Sequence, residues 1–444
     1  MTIRDHAQRT DDQIRDAVVG WLRENLPADW VAGIENGDDA LFRKGQSQLD
    51  QRAFLRQIGE AGWAMPEWEV EYSGAGLSTD QAAIVEDLKD DYRVPRSFNI
   101  LGFGLAAPTL RQWATEEQKQ FFLSGMAQGD YWCQLFSEPG NGSDVAGLAM
   151  RAERDGDEWI MNGQKVWTSG AHMSKWGMLV ARTNPDQPKH KGISYFILDM
   201  EAPGVEVRPL RQITGDAEFN EVFLTDVRVP DKWRIGPEGE GWSVAQTTLL
   251  NERVALSGAF GGGARRRRRP AAAPAAGSAP AKSTERKDKP REVGAGMVGG
   301  GAVMDGLIRE AKSNGTWKNP VVRDRIVQLY ITGRVSALNI QRAAAQRKAG
   351  GQPGPEGSIA KLFGTEFNMK AQVLSADLMV GPMAWEPDDG ASAMRARAFL
   401  RSRGNSIEGG TSEIQRNIIG DRVLGLPREP DMSKGLPWKD VPRN

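Results

Sequence analysis

The chain has 444 residues, more than a single hydrophobic core usually serves, so two or three domains are expected. Lys+Arg 57 against Asp+Glu 58 leaves a formal net charge of -1, which argues against nucleic acid or an anionic membrane as the main partner. One cysteine, Cys133, excludes an internal disulfide framework. His6, His172 and His190 are too scattered for a histidine-rich metal site, so no metal is expected.

The first 130 residues read as helices. "DDQIRDAVVGWLREN" sets Ile14, Val18, Trp21 and Leu22 on one stripe. "STDQAAIVEDLKDDY" opens on a Ser78/Thr79 cap. "TEEQKQFFLSGMAQGD" opens on Thr115 followed by Glu116 and Glu117, and stops at Gly129. The amino-terminal "MTIRDHAQRT" lacks the apolar stretch of a signal peptide, and no run approaches the ~20 apolar residues of a membrane span. A soluble, cytoplasmic protein is the expectation.

From 131 to about 235 the texture changes to short runs rich in β-branched and aromatic residues. The first of them ends in "WCQLFSEPGNGSDVAG", where Pro139, Gly140, Asn141 and Gly142 crowd between two acids, Glu138 and Asp144, and two hydroxyls, Ser137 and Ser143. "EWIMNGQKVWTSG" is a hairpin candidate with Asn162-Gly163 at its tip. "KWGMLVARTN", "GISYFILDM", "VEVRPL" and "NEVFLTDVRVP" follow at the spacing of a small β-barrel or sandwich.

Helical periodicity returns after Gly241 in "WSVAQTTLLNERVALSGAF", then in the stretches beginning at Asn319 and Gly357. The stretch from Gly261 to Gly301 interrupts it. Rich in Gly, Ala, Pro and basic residues, it cannot bury enough surface to offset its ordering entropy. It reads as a flexible, solvated insertion. Its five arginines, Arg265 to Arg269, are also compatible with phosphate binding, the less favoured reading. The predicted domains are therefore 1–130 helical, 131–235 β, and 236–444 helical with the insertion 261–301. Near the end, a Gly-Gly-Thr turn leads into a helix with Ile414, Ile418 and Ile419 on one face.

Three segments carry a resemblance. "EPGNGSD", "NGQKVWTSG" and "EGGTSEIQR" occur in order, each at the end or start of an element. With the α–β–α succession they resemble the acyl-CoA dehydrogenase family over the whole chain except the insertion. The resemblance implies an N-terminal helical domain, a middle β-barrel and a C-terminal four-helix bundle. It also implies FAD, whose flat ring needs hydrogen-bonding groups at its edges and an aromatic wall. Flavin contacts then map onto Gln134, Phe136, Ser137, Trp167 and Ser169, with Thr411 and Glu413 completing them. Ser143, Arg253 and Gly410 map to the substrate side.

The reaction so implied is α,β-dehydrogenation of an acyl-CoA thioester, with electrons passed to an electron-transfer flavoprotein. It needs a carboxylate base beside the α-carbon. Family members commonly carry that base directly before Gly-Thr. Here the sequence reads Glu408-Gly409-Gly410-Thr411, and alignment on Thr411 puts Gly409 at that place. A branch resembling isovaleryl- and long-chain acyl-CoA dehydrogenases places the base in "LxxERxxL". "LLNERVAL", Leu249 to Leu256, supplies Glu252 there. Glu252 is the expected base and Glu408 the alternative. The family's "RxxFG" string is absent, and its "QxxGG" stretch survives only as "DLMVG", Asp377 to Gly381. The isoalloxazine half of the flavin site thus reads as intact and the ADP half as altered. That departure keeps open a non-catalytic or half-active subunit of a hetero-oligomer; an acyl-CoA oxidase on the same scaffold is a further alternative. A dimer or tetramer is implied by the family.

Overall fold

The computed structural model describes residues 9–95, 99–260, 301–348, 354–379, 390–430 and 433–442, leaving aside the side chains of 253–260, 302, 344, 347, 348 and 390–392. The first part is helical: α1 Asp11–Asn25, α2 Ala28–Asn36, α3 Asp39–Gln48, α4 Gln51–Glu60, α5 Thr79–Asp91, α6 Ala107–Trp113 and α7 Glu116–Ala127. Thr10, Ser78 and Thr115 each cap a helix, and a glutamine at the third helical position returns the bond to the cap's own amide. Each pair satisfies two backbone N–H groups that the helix leaves open. Ile14, Val18 and Leu22 of α1 bury against Phe54 and Ile58 of α4 and Val85 of α5.

Eight strands follow: β1 Trp132–Leu135, β2 Arg151–Asp155, β3 Glu158–Ser169, β4 Trp176–Arg182, β5 Ile193–Asp199, β6 Val205–Leu210, β7 Phe219–Pro230 and β8 Arg234–Ile235. They form one sheet in the order β6-β7-β3-β2-β4-β5-β8, with β1 joined parallel to β4. One face of the sheet packs on the helical part through Phe122, Leu123, Trp132 and Trp176. Cys133, Met161, Leu179 and Val227 form a second core on the other side.

The hairpin expected at Asn162-Gly163 is not formed there. The chain turns at Gly156, with β2 and β3 paired antiparallel on either side, and β3 runs straight through 162–163. The Asn-Gly pair instead sits where the ladder to β7 slips. Asn162 Nδ2 donates to Asp226 Oδ1, and Asp226 N donates to Asn162 Oδ1, both at 2.9 Å. Gly163 has φ +150°, and a Cβ there would lie 3.1 Å from Met150 Cα. The glycine serves close approach within the sheet rather than a tight turn.

The helices that follow are α8 Gly241–Phe260, α9 Gly301–Ser313, α10 Pro320–Lys348, α11 Gly357–Leu378, α12 Gly390–Ser402 and α13 Ser412–Ile418. α9, α10 and α11 share a core of Leu307, Ala311, Ile326, Leu329 and Leu374. The inward residues of α13 are Ser412 and Gln415, while Ile414, Ile418 and Ile419 are only half-buried. The helix is seated by Ser412 and Gln415, with the isoleucines beside them. The insertion from Gly261 to residue 300 lies outside the described residues, and so do Val380 and Gly381 of "DLMVG". Among the described residues no helix is long and apolar enough to cross a membrane, and no cluster of His, Cys, Asp and Glu could hold a metal ion.

Candidate active site

The glycine-rich loop after β1 is built around a buried ion pair. Lys165 of β3 is fully buried, and its Nζ donates to Glu138 Oε1 at 2.9 Å and to the carbonyl of Phe136 at 3.1 Å. Glu138 also accepts the amides of Ala149 and Met150 at 2.7 and 3.0 Å. Burial pulls the Lys165 pKa down, and Glu138 opposes that pull. One acid of the loop is thus a structural anchor with its lone pairs committed. The other, Asp144, pairs with Lys189 at 3.0 Å near the surface.

This anchor fixes the loop beside the end of β3. Ser137 O accepts Val166 N at 2.9 Å. One residue on, Trp167 has φ +60°, a conformation that bulky residues rarely hold, and its side chain is 58% exposed. Left-handed backbone at a non-glycine costs on the order of 1–3 kcal/mol and recurs at functional sites. The register slip between Lys165 and Thr168 imposes it here. The indole meets Phe219 of β7 edge-on at 5.9 Å. Ser137 and Ser169 are half-buried, and neither hydroxyl has a protein partner among the described residues. Thr168 Oγ1 is buried without a hydrogen bond. An exposed aromatic wall with uncommitted hydroxyls beside it fits a flat ligand with polar edges. Phe136 differs: its ring is buried against Tyr195, so only its backbone could meet such a ligand.

α8 carries Glu252 to the same region. The helix begins against β5, where a Cβ on Gly241 would stand 2.4 Å from Ser194 C. Thr248 then bonds Thr109 of α6 at 2.9 Å and Tyr195 of β5 at 3.2 Å. Glu252 lies one turn further, on the same side of the helix. It is half-buried, and Gln134 Nε2 of β1 donates to its Oε2 at 3.3 Å. The two residues expected at the flavin and at the base are therefore in contact.

Glu408 faces elsewhere. It accepts Arg401 Nη2 at 2.7 Å and Asn405 Nδ2 at 2.6 Å. Arg401 reaches on to Glu218 at 3.5 Å and lies over Phe219 at 5.8 Å. Burial lowers the Arg401 pKa, but Glu408 and Glu218 outweigh it and hold the guanidinium above its usual value. Glu408 thus ties the Gly-Gly turn to α12 and to the edge of the Trp167 wall.

Beneath that turn lies Lys361 of α11, fully buried. Its Nζ donates to the carbonyls of Asn405 and Gly410 at 2.9 and 2.8 Å. Burial lowers its pKa, offset by Glu408, Glu252 and Glu413 in that order. Gly409 and Gly410 have φ +63° and +86°, which leaves their carbonyls free to point at Lys361 and Gln415. Thr411 then caps α13 by accepting Ile414 N at 3.2 Å, while Glu413 is exposed beside Arg416. Ser143 is exposed on the loop after β1. The side chain of Arg253 lies outside the described residues.

Lys165, Arg401, Asn405 and Lys361 were not among the sequence candidates. Lys361 carried one weak signal: Ser358, Lys361 and Thr365 mark a polar inner face on a helix whose other faces are apolar or charged. Lys165 stands inside a recognised segment, but only the β1–β3 juxtaposition reveals its partner.

Comparison with known proteins points one way. The N-terminal, middle and C-terminal domain profiles of acyl-CoA dehydrogenases match residues 9–130, 133–227 and 296–424. The chain is 33% identical over 419 residues to acyl-CoA dehydrogenase IpdE1 of Mycobacterium tuberculosis (strain ATCC 25618 / H37Rv), covering 94% of this chain and 98% of that one. It is 38% identical to acyl-CoA dehydrogenase FadE34 of the same strain, over 84% of this chain but only 46% of that relative. Among solved structures, the ChsE4-ChsE5 complex from Mycobacterium tuberculosis superimposes with TM-score 0.61 at 26% identity, covering 94% of this chain and 98% of that one.

Proposed function

The chain belongs to the acyl-CoA dehydrogenase family, and from that premise we propose that it removes the α-proton of an acyl-CoA thioester with Glu252. The observation that carries this reading is the contact between Glu252 and Gln134, set against the engagement of Glu408 by Arg401 and Asn405. Glu408 is engaged by a guanidinium and an amide on the far side of the Gly-Gly turn, whereas Glu252 faces Gln134 of β1, the residue expected at the flavin edge.

FAD is the cofactor the family implies. Trp167 would form the wall of its ring site, with Ser137, Ser169 and Gln134 as edge contacts and Thr411 and Glu413 at the Gly-Gly turn. The exposed indole at positive φ and the two unpartnered hydroxyls support that fit. When bound, FAD would supply the acceptor for the β-hydride. Glu252 would take and hold the proton at its carboxylate, and Ser143, Arg253 and Gly410 would meet the thioester side. An electron-transfer flavoprotein would be the electron acceptor, and the compartment would be the cytoplasm.

The test is an anaerobic titration of the purified yellow protein with a panel of straight-chain, branched and sterol side-chain acyl-CoA thioesters. Loss of the flavin's visible absorbance supports the reading and ranks the substrates. An unbleached spectrum across the panel contradicts it, and rapid reoxidation by oxygen after bleaching marks an oxidase instead.

A second reading, a subunit of an assembly, is favoured by α10. Val327, Ile331, Val335 and Leu338 form an exposed apolar stripe along it. The ChsE4-ChsE5 neighbour is itself a complex of two chains. Light scattering of this chain alone and with a sister chain separates a self-assembling enzyme from an obligate partner.

A further inference from the structure

The segment 433–442 returns to the middle β domain, where Pro437 bridges Pro188, and its Trp438 joins two loops. Trp438 Nε1 donates to the carbonyl of Gly147 at 3.1 Å. The guanidinium of Arg182, at the end of β4, lies over the Trp438 ring at 4.6 Å. Arg182 is itself buried, and it donates to the carbonyls of Ala146, Leu148 and Lys189 at 2.7, 3.1 and 2.7 Å. The backbone of the segment adds Trp438 N to Gln187 O at 2.9 Å and Lys439 N to Pro185 O at 3.1 Å. Lys439 Nζ pairs with Asp186 at 2.7 Å. One tryptophan and one arginine therefore fasten residues 146–148 and the β4–β5 connection 185–189 to each other.

The first of those loops is the one that carries Ser143. Its tip has little else to hold it. A Cβ on Gly140 or Gly142 would meet nothing within 4 Å, so packing does not restrict the tip. On one side the tip is anchored through the Glu138–Asn141 backbone pair. On the other, past the Glu138 bonds to the Ala149 and Met150 amides at the loop's base, it is held by Asp144–Lys189 and by the carbonyls engaged by Arg182 and Trp438.

We infer that Trp438 is a positioning residue for the thioester site: stacked on Arg182 and bonded to Gly147, it pre-orders the Ser143 loop for acyl-CoA. This rests on the reading of Ser143 as a substrate contact. A loop ordered before binding does not charge its ordering entropy to the ligand. Loss of the clamp should therefore weaken substrate binding while leaving proton abstraction at Glu252 and flavin binding untouched.

The experiment uses the full chain with bound FAD. In Trp438→Ala, KM for acyl-CoA should rise about tenfold, a size consistent with losing one stacked cation and one hydrogen bond. The kcat should stay within about twofold, and flavin content should not change. Trp438→Phe keeps a ring under Arg182 and should recover most of the KM. Hydrogen exchange provides a readout independent of the reaction. The amides of Gly147 and Leu148, bonded to Asp144 and Val145, should lose protection in Trp438→Ala. Unchanged exchange there overturns the clamp whatever the enzyme does. Lost protection with an unchanged KM, or an equal fall in kcat, overturns its positioning role. A wild-type protein that no acyl-CoA bleaches sinks the functional reading instead, and leaves the exchange result to judge the clamp.

Discussion

Two buried lysines, Lys165 beneath the loop after β1 and Lys361 beneath the Gly-Gly turn, are held in different ways. Lys165 has a carboxylate of its own, Glu138, at 2.9 Å. Lys361 touches two carbonyls and makes no ion pair among the described residues; its compensating charges, Glu408, Glu252 and Glu413, act from further off. A directly paired ion is balanced locally, so the loop at Glu138 can serve as a fixed frame. An ion balanced by several distant carboxylates responds to the protonation of each of them, and one of these is the proposed base. The frame under the Trp167 wall is thus balanced within itself, whereas the lysine beneath the Gly-Gly turn feels the charge of the proposed base.

The largest effect should come from breaking the local pair. Lys165→Met leaves Glu138 buried without its cation, and should destabilise the fold by about 3–5 kcal/mol. Urea unfolding measures it. The double variant Lys165→Met/Glu138→Leu should recover a good part of that loss, and a single-variant loss below about 1 kcal/mol would deny the pair its role.

Lys361→Met should cost less, on the order of 1–3 kcal/mol, because it removes two hydrogen bonds to carbonyls without stranding a directly paired carboxylate. Its signature is in the pH dependence. Burial lowers the folded pKa of Lys361 below its unfolded value of about 10.4. Between those values the unfolded chain binds more protons, so this lysine favours folding more as pH rises through that window, and the advantage is lost as pH falls through the folded pKa. The stability of wild type relative to Lys361→Met should therefore rise as pH climbs from the lowered folded pKa toward about 10. A flat difference would mean that the lysine is not strained by burial.

Cys133 offers a probe of the β1 side. It is buried in β1, and burial lifts its thiol pKa to about 12. It should resist a thiol reagent at pH 8 in the native protein and react only on unfolding. The smallest effect concerns the far helices: Thr115→Ala removes a cap and should cost about 1 kcal/mol with no change in flavin binding.

Local chemistry was legible in the sequence wherever it is decided within a few residues. The Ser78 and Thr115 caps depend on a side chain and an amide three positions away, and the structure has them where the pattern predicts. Asn162-Gly163 failed because a partner strand, not the dipeptide, decides between turn and bulge. That Gln415 turns inward on α13 to hold the Gly409 and Gly410 carbonyls was not legible, because those acceptors belong to the preceding turn. The alternatives Glu252 and Glu408 could be framed from the sequence alone. Their surroundings could not, since Arg401, Asn405 and Gln134 reach them from other elements.

The central claim concerns the Glu252 carboxylate, and one substitution addresses it directly. In Glu252→Gln with FAD bound, stopped-flow mixing with acyl-CoA without oxygen should show flavin reduction slowed by about 10²–10⁴-fold, with the ligand still bound. Reduction at the wild-type rate, with Glu408→Gln slow instead, would contradict the account.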